Sequence, residues 1–166
     1  MSWQNPGPAE RLRILRGTRT VAVLGASANP ARASHFVTTY LLASTDFEVH
    51  LVNPNATEIL GRPVHPDLAS LPVVPDLVDV FRRRADLPAV LDEVLALAPG
   101  VRTFWTQFGL LDQDVAGRAD AAGLQVVMDR CLKVEHARFH GGLHIAGFDT
   151  GVISARRRGT GGTGPT

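Results

Sequence analysis

The sequence predicts an α/β fold: a doubly wound parallel sheet of about five strands between two helical layers, three layers in all. Three observations predict it. Short apolar runs alternate along the chain with segments of helical period, the pattern of strands joined by helical crossovers. One of those runs, Val21 to Leu24, ends on Gly25-Ala26-Ser27 and gives way at once to a helix mouth at Asn29-Pro30. And 166 residues suit one domain with short appendages and a substantial core.

Taken in order, the residues before Thr18 predict a short helix with Pro8 near its start, Leu12 and Leu15 on one side and Gly17 as its C-cap. Arg11, Arg13 and Arg16 are expected on its solvated face. Residues 1–18 are thus expected to pack as an N-terminal helix on a domain spanning 19–155. After the strand at Val21, Asn29 suits an N-cap and Pro30 a first helical position, and Ala33, Phe36, Val37, Tyr40 and Leu41 recur at helical spacing. Phe47 to Val52 is a second strand ending in Asn53-Pro54. Asn55 to Pro75, rich in Pro, Asn and Asp, is expected to be a long loop with a short extended piece around Val64.

Leu77 to Phe81 is a third strand, closed by Arg82-Arg83-Arg84. Leu87, Val90, Leu91, Val94, Leu95 and Ala98 form the cleanest amphipathic helix, with Asp86 and Pro88 as start signals. Val101 to Trp105 is a fourth strand. Asp112 can cap a helix running through Val115, Ala119 and Ala122 to Gly123, and Leu124 to Met128 is a fifth strand. Leu132 to Phe139 is expected to be helical and Leu143 to Ala155 extended, with Gly141, Gly142, Gly147 and Gly151 as bends. Residues 156–166 are expected to be a disordered tail, since they hold little that can anchor them.

With 45% hydrophobic and 20% charged residues the composition is that of an ordinary soluble globular protein. No apolar run approaches the ~20 residues of a membrane span, and the first residues lack a secretory core, so a cytoplasmic protein without a membrane partner is expected. Net charge is +1, and Arg156, Arg157 and Arg158 supply three of the positive charges, which leaves the remainder negative. That balance argues against a nucleic-acid partner. One cysteine excludes an internal disulfide framework and a multi-cysteine zinc site.

Ligands of doubly wound sheets bind beyond the carboxyl ends of the strands. Those ends are Gly25-Ala26-Ser27, Asn53-Pro54, Phe81-Arg82-Arg83, Thr106-Gln107 and Asp129-Arg130-Cys131. At the first, backbone N–H groups and a helix dipole converge where Gly and Ser admit a ligand close to the main chain, which is the chemistry of a phosphate site. The dinucleotide fingerprint G-x-G-x-x-G is met only in part, because Ser27 and Pro30 replace its second and third glycines. An NAD-binding domain carries an acid near the end of its second strand to hold the ribose hydroxyls. Asn53 stands there instead, and Glu48 comes too early, within the strand. A nucleotide with an extra phosphate is therefore favoured over NAD, with Arg32 or Arg82 to Arg84 to bind it.

In these residues the chain resembles the small coenzyme A (CoA)-binding proteins of Rossmann-like fold, which are similar to the CoA-binding domain of the succinyl-CoA synthetase alpha subunit. The resemblance lies in VAVLGASANPAR, in LVNPN followed by LGRPVHPDL, in VDVFRR and in VVMDRCLKVEHAR, in that order across Thr20 to Arg138. It implies binding of coenzyme A or an acyl-CoA, with a phosphate loop at Gly25, Ala26 and Ser27. It also implies cleft roles for Asn29, Pro30 and Arg32, for Asn53 and Pro54, and for Phe81, Arg82 and Arg83. The synthetase subunit continues into a second domain with a phosphorylated histidine, which this chain does not contain, so ligase activity is not implied.

The leading expectation is a binding module. An NAD(P)-dependent oxidoreductase and a CoA-binding subunit of a multi-chain acyl-CoA ligase are the alternatives, and a partner protein or homodimer is compatible with each. Cys131, at a strand end beside Arg130, is a candidate for a mixed disulfide with the CoA thiol, formed by exchange with CoA disulfide and visible as an intact-mass adduct. His136, His140 and His144 are spaced by four, but Gly141-Gly142 argues against one helix carrying all three, and no metal site is expected. No nucleophile, base and orienting residue assemble from local spacing. Ser27 lacks the following glycine of a hydrolase elbow.

Overall fold

The computed structural model describes residues 2–97 and 99–142. The expectations for Ala98, His144, the extended segment at 143–155 and the tail at 156–166 lie outside the described residues. The chain divides into two units, Met1–Leu132 and Lys133–Thr166.

The first unit holds a sheet of seven strands: β1 (Thr20–Leu24), β2 (Glu48–Val52), β3 (Glu58–Ile59), β4 (Arg62–His65), β5 (Leu77–Val80), β6 (Thr103–Thr106) and β7 (Gln125–Val127), in the order β3-β4-β2-β1-β5-β6-β7. All neighbouring pairs are parallel except β3 with β4. Numbered among themselves in chain order, the parallel strands run 3-2-1-4-5-6, the doubly wound arrangement. The two strands beyond the expected five come from Asn55 to Pro75, which is not a long loop. Leu60 and Gly61, both at positive φ, turn the chain back in a tight hairpin there, and Val64 pairs with Leu51 to extend the sheet.

The helices are α1 (Pro8–Arg16), α2 (Ala33–Ser44), α3 (Leu87–Leu95) and α4 (Gln113–Ala121). α3 and α4 pack on one face of the sheet: Leu87, Leu91 and Val94 with Val115 and Ala119 close over Ala22, Leu24, Val78, Val80 and Phe104. The crossover through α2 runs the opposite way along the sheet, so right-handedness puts it on the other face. Its buried stripe keeps Val37 and Leu41 of the expected set but is completed by Ser34 and Thr38, and Phe36 is left exposed. Asp112 caps α4 as its sequence position predicts, accepting from the N–H groups of Asp114 and Val115.

α1 begins at Pro8 and ends at Gly17 as expected, but Arg11 is buried, its guanidinium donating to the Pro6 carbonyl, and is not on a solvated face. Ahead of it, the Asn5 amide donates to the Met128 carbonyl (2.6 Å) and accepts from the Met128 N–H (3.0 Å), pairing with backbone just past the edge strand β7. In mid-strand on β5 lies Asp79, fully buried, with neither carboxylate oxygen hydrogen-bonded. Burial pushes its pKa well above the usual carboxylate range. No helix among the described residues is long and apolar enough to cross a membrane.

In the second unit, α5 (Leu132–Ala137, its first residue the last of the first unit) continues into a wider, π-type turn over Arg138–Gly142, so Gly141 does not end the helical backbone as expected. The rings of His136 and His140 stack 4.1 Å apart, and the His140 Nδ1 lies 2.9 Å from the His136 carbonyl. Burial first, then the neighbouring His140, lowers the His136 pKa to about 4.

Candidate functional site

A cleft of about 480 Å³ opens at the carboxyl ends of β1, β2, β5 and β6. That is where winding reverses direction, with α2 leading from β1 to β2 on one side and α3 from β5 to β6 on the other, so no crossover covers it.

The β1 side is built from backbone. The Gly25 and Ala26 N–H groups both donate to the Val52 carbonyl, and the Phe81 N–H donates to the Leu24 carbonyl, which fixes the end of β1 between its neighbours. Gly25 has φ +101, and a Cβ there would stand 2.3 Å from the Phe81 carbonyl oxygen. No other residue fits. The loop beyond is shaped by its own side chains. Ser27 Oγ accepts from the Asn29 N–H (3.0 Å), and Asn29 Oδ1 accepts from the Ala31 N–H (2.9 Å).

These local bonds compete with helix formation, so α2 starts at Ala33 and not at Pro30, with Arg32 in the N-cap position and no side-chain cap. Asn29 therefore closes a turn rather than capping the helix. The N–H groups of Ser27, Ala33 and Ser34, three residues of the cleft wall, meet no acceptor among the described residues. Such orphan donors at a helix start are what an anion binds.

Asn53 has both side-chain ends engaged: Nδ2 donates to the Ala26 carbonyl and Oδ1 accepts from the Asn55 N–H, each at 2.7 Å. It is a turn former that also holds the loop after β1 to the end of β2. The opposite wall differs. Arg82 Nε and Gln107 Oε1 are buried there with no hydrogen-bond partner. Of the arginine triplet, Arg83 pairs with Asp86 (3.4 Å) and Arg84 with Asp112 (3.8 Å), so Arg82 is the one turned to the cleft.

The structure thus gathers Gly25, Ala26, Ser27, Asn29 and Arg32 with Asn53, Phe81 and Arg82 around one cleft. Pro30, Pro54 and Arg83 are not in its wall, nor is Cys131, which is partly exposed after β7. Sequence reasoning missed Ala33, Ser34, Phe108 and Leu110, and named Gln107 only as a strand end. The first two follow from the late helix start; the others follow β6, whose carboxyl end the topology already marked. Among the described residues no group of three or more metal-ligating side chains exists.

The sequence model of a CoA binding domain matches residues 19–137, most of the chain and all of the sheet. The chain belongs to the CoA binding domain family. Within reach of this CoA binding domain protein, the uncharacterized Bacillus subtilis protein YneT is 37% identical over 134 residues, which are 81% of this chain and 97% of that one. The solved structure of the Thermus thermophilus protein called cell-free ID.343 is 38% identical, superposes with a TM-score of 0.73, and covers 80% of this chain and 98% of its own. A hypothetical protein of Pyrococcus horikoshii OT3 is 29% identical with a TM-score of 0.72, over 83% and 98% of the two chains.

Proposed function

We propose that this chain binds coenzyme A in the strand-end cleft and acts as a binding module. The observation that carries the reading is the convergence there of three orphan N–H groups, at Ser27, Ala33 and Ser34, with two arginines, Arg32 and Arg82, that enter no ion pair among the described residues. Family membership supplies the ligand class. The orphan N–H groups take the pyrophosphate, and an arginine takes the phosphate on the ribose. Asn53 supports the same reading. Its side chain is spent on the loop, so the second strand offers no carboxylate to a nicotinamide nucleotide's ribose.

Titration calorimetry at fixed salt with CoA, dephospho-CoA, NAD and NADPH tests this. A charge-assisted phosphate contact is worth about 1.5–3 kcal/mol, so dephospho-CoA is expected to bind roughly ten to a hundredfold more weakly than CoA, with both nicotinamide cofactors silent. Preferential binding of NAD or NADPH overturns the reading.

A further inference from the structure

We propose that the loop after β6 is a seat for the acyl end of the ligand, so that this chain prefers an acyl thioester of CoA to the free thiol. The inference rests on the coenzyme A reading above and adds the ligand's other half.

The cleft changes character along the strand order. Its β2 and β1 side carries Asn53, Ser27 and Asn29; its β6 side carries Phe108 and Leu110. β6 lies two strand spacings from β1, about 10 Å, a span that a pantetheine arm covers. Phe108 is 74% exposed, yet the loop bearing it is held firmly. Thr106 Oγ donates to the Leu110 carbonyl (2.6 Å) and the Leu110 N–H to the Gln107 carbonyl (2.9 Å). The Gly109 N–H donates to Asp129 Oδ1 (2.7 Å), and the Asp129 N–H donates back to the Leu110 carbonyl (3.1 Å). Asp129 sits at φ 60, a left-handed conformation that costs a non-glycine residue energy.

A mobile loop that left a phenylalanine in water would need no such scaffold. A pinned loop that does so presents the ring to something apolar. Beside it in the chain and in the same cleft wall, the unpartnered Gln107 Oε1 is an acceptor that suits the amide N–H nearest the thiol end of the pantetheine arm. Past that amide, the ligand continues only as its sulfur and whatever acyl chain the sulfur carries.

Calorimetry of the intact chain and of Phe108→Ala with CoA, hexanoyl-CoA and adenosine 3′,5′-bisphosphate decides the matter. The unaltered protein is expected to bind hexanoyl-CoA about tenfold tighter than CoA, the effect of burying roughly two methylene groups' worth of chain. In Phe108→Ala that ratio is expected to fall to about one. Equal affinity of the unaltered protein for the two ligands overturns the inference, as does a ratio that survives the substitution. An equal loss for the bisphosphate and for hexanoyl-CoA also overturns it, by putting the adenine against Phe108. If CoA itself does not bind, the coenzyme A reading falls first and this one with it.

Discussion

The two walls of the cleft are built on opposite principles. On the β1 and β2 side, Ser27, Asn29 and Asn53 each spend side-chain atoms on nearby backbone, and the main chain is locked by the shared Val52 carbonyl. On the β5 and β6 side, Arg82 and Gln107 each bury a polar atom with no partner, and Phe108 stands in water. The first wall has its side chains bonded and its backbone fixed, so it presents the unbonded N–H groups of Ser27, Ala33 and Ser34 without having to rearrange. The second wall's unpartnered side-chain atoms hold free energy that a ligand can recover, since burying an unpaired polar group costs about 1–3 kcal/mol. The first wall positions a ligand; the second gains by its arrival.

The sharpest break of this contrast uses one glycine from each wall. Gly25→Ala faces both a positive φ and the Phe81 carbonyl at 2.3 Å, and is expected to cost about 4 kcal/mol or more, enough to unfold a marginal domain. Gly109→Ala has a similar φ, +90, but nothing within 4 Å of the added carbon, and is expected to cost about 1–2 kcal/mol. Thermal melts of the two variants report the difference. Equal losses would mean that the β1 end is not the tighter wall.

A smaller effect separates two amides. Asn53→Ala removes bonds to the Ala26 carbonyl and the Asn55 N–H and is expected to lower stability by about 2 kcal/mol in urea melts. Gln107→Leu removes a buried acceptor that has no partner and is expected to raise stability, by about 1 kcal/mol. Were Gln107→Leu to cost as much as Asn53→Ala, the second wall would be as satisfied as the first.

The same asymmetry explains what the sequence discloses. The first wall is mostly local: its strand, glycine, serine and Asn29 fall within Val21 to Arg32, with Asn53 alone beyond, so short-range rules for turns and helix starts expose it, missing only that the Asn29 turn delays α2 to Ala33. The parallel sheet was legible for a like reason, since each crossover helix shows its own period. Of β3 and β4 only the extended piece around Val64 was legible, because a two-residue strand and a four-residue strand have too few positions to show alternation, and their pairing is set by the turn at Leu60-Gly61. Arg11 was hidden because a carbonyl five residues back, at Pro6, satisfies it. The second wall is legible only in part, through Phe81, Arg82 and Gln107 as strand ends: Arg82 and Gln107 follow different strands, and the loop carrying Phe108 is fixed by Asp129, 20 residues away from Gly109. Nothing in the neighbourhood of either residue encodes that meeting.

The smallest expected effect lies in the interior of β5. The unfolded Asp79 carboxyl titrates near 3.9, and burial raises the folded value well above that, so the folded state holds the proton more tightly. Its contribution to stability is then full below about pH 3.9 and is lost as pH rises through the folded pKa. His136 acts in the opposite sense: lowered to about 4 from 6.5, it contributes fully above pH 6.5 and loses that contribution as pH falls. Subtracting the melting curves of the unaltered protein from those of Asp79→Asn cancels His136, which both carry, and leaves the carboxyl alone. The advantage of Asp79→Asn is expected to grow with pH from about 4 upward, reaching about 1 kcal/mol, the scale of one unpaired buried group. A difference that stays flat with pH would mean that the carboxyl is solvated or paired when the protein folds, and that the interior of β5 holds no unpaired group.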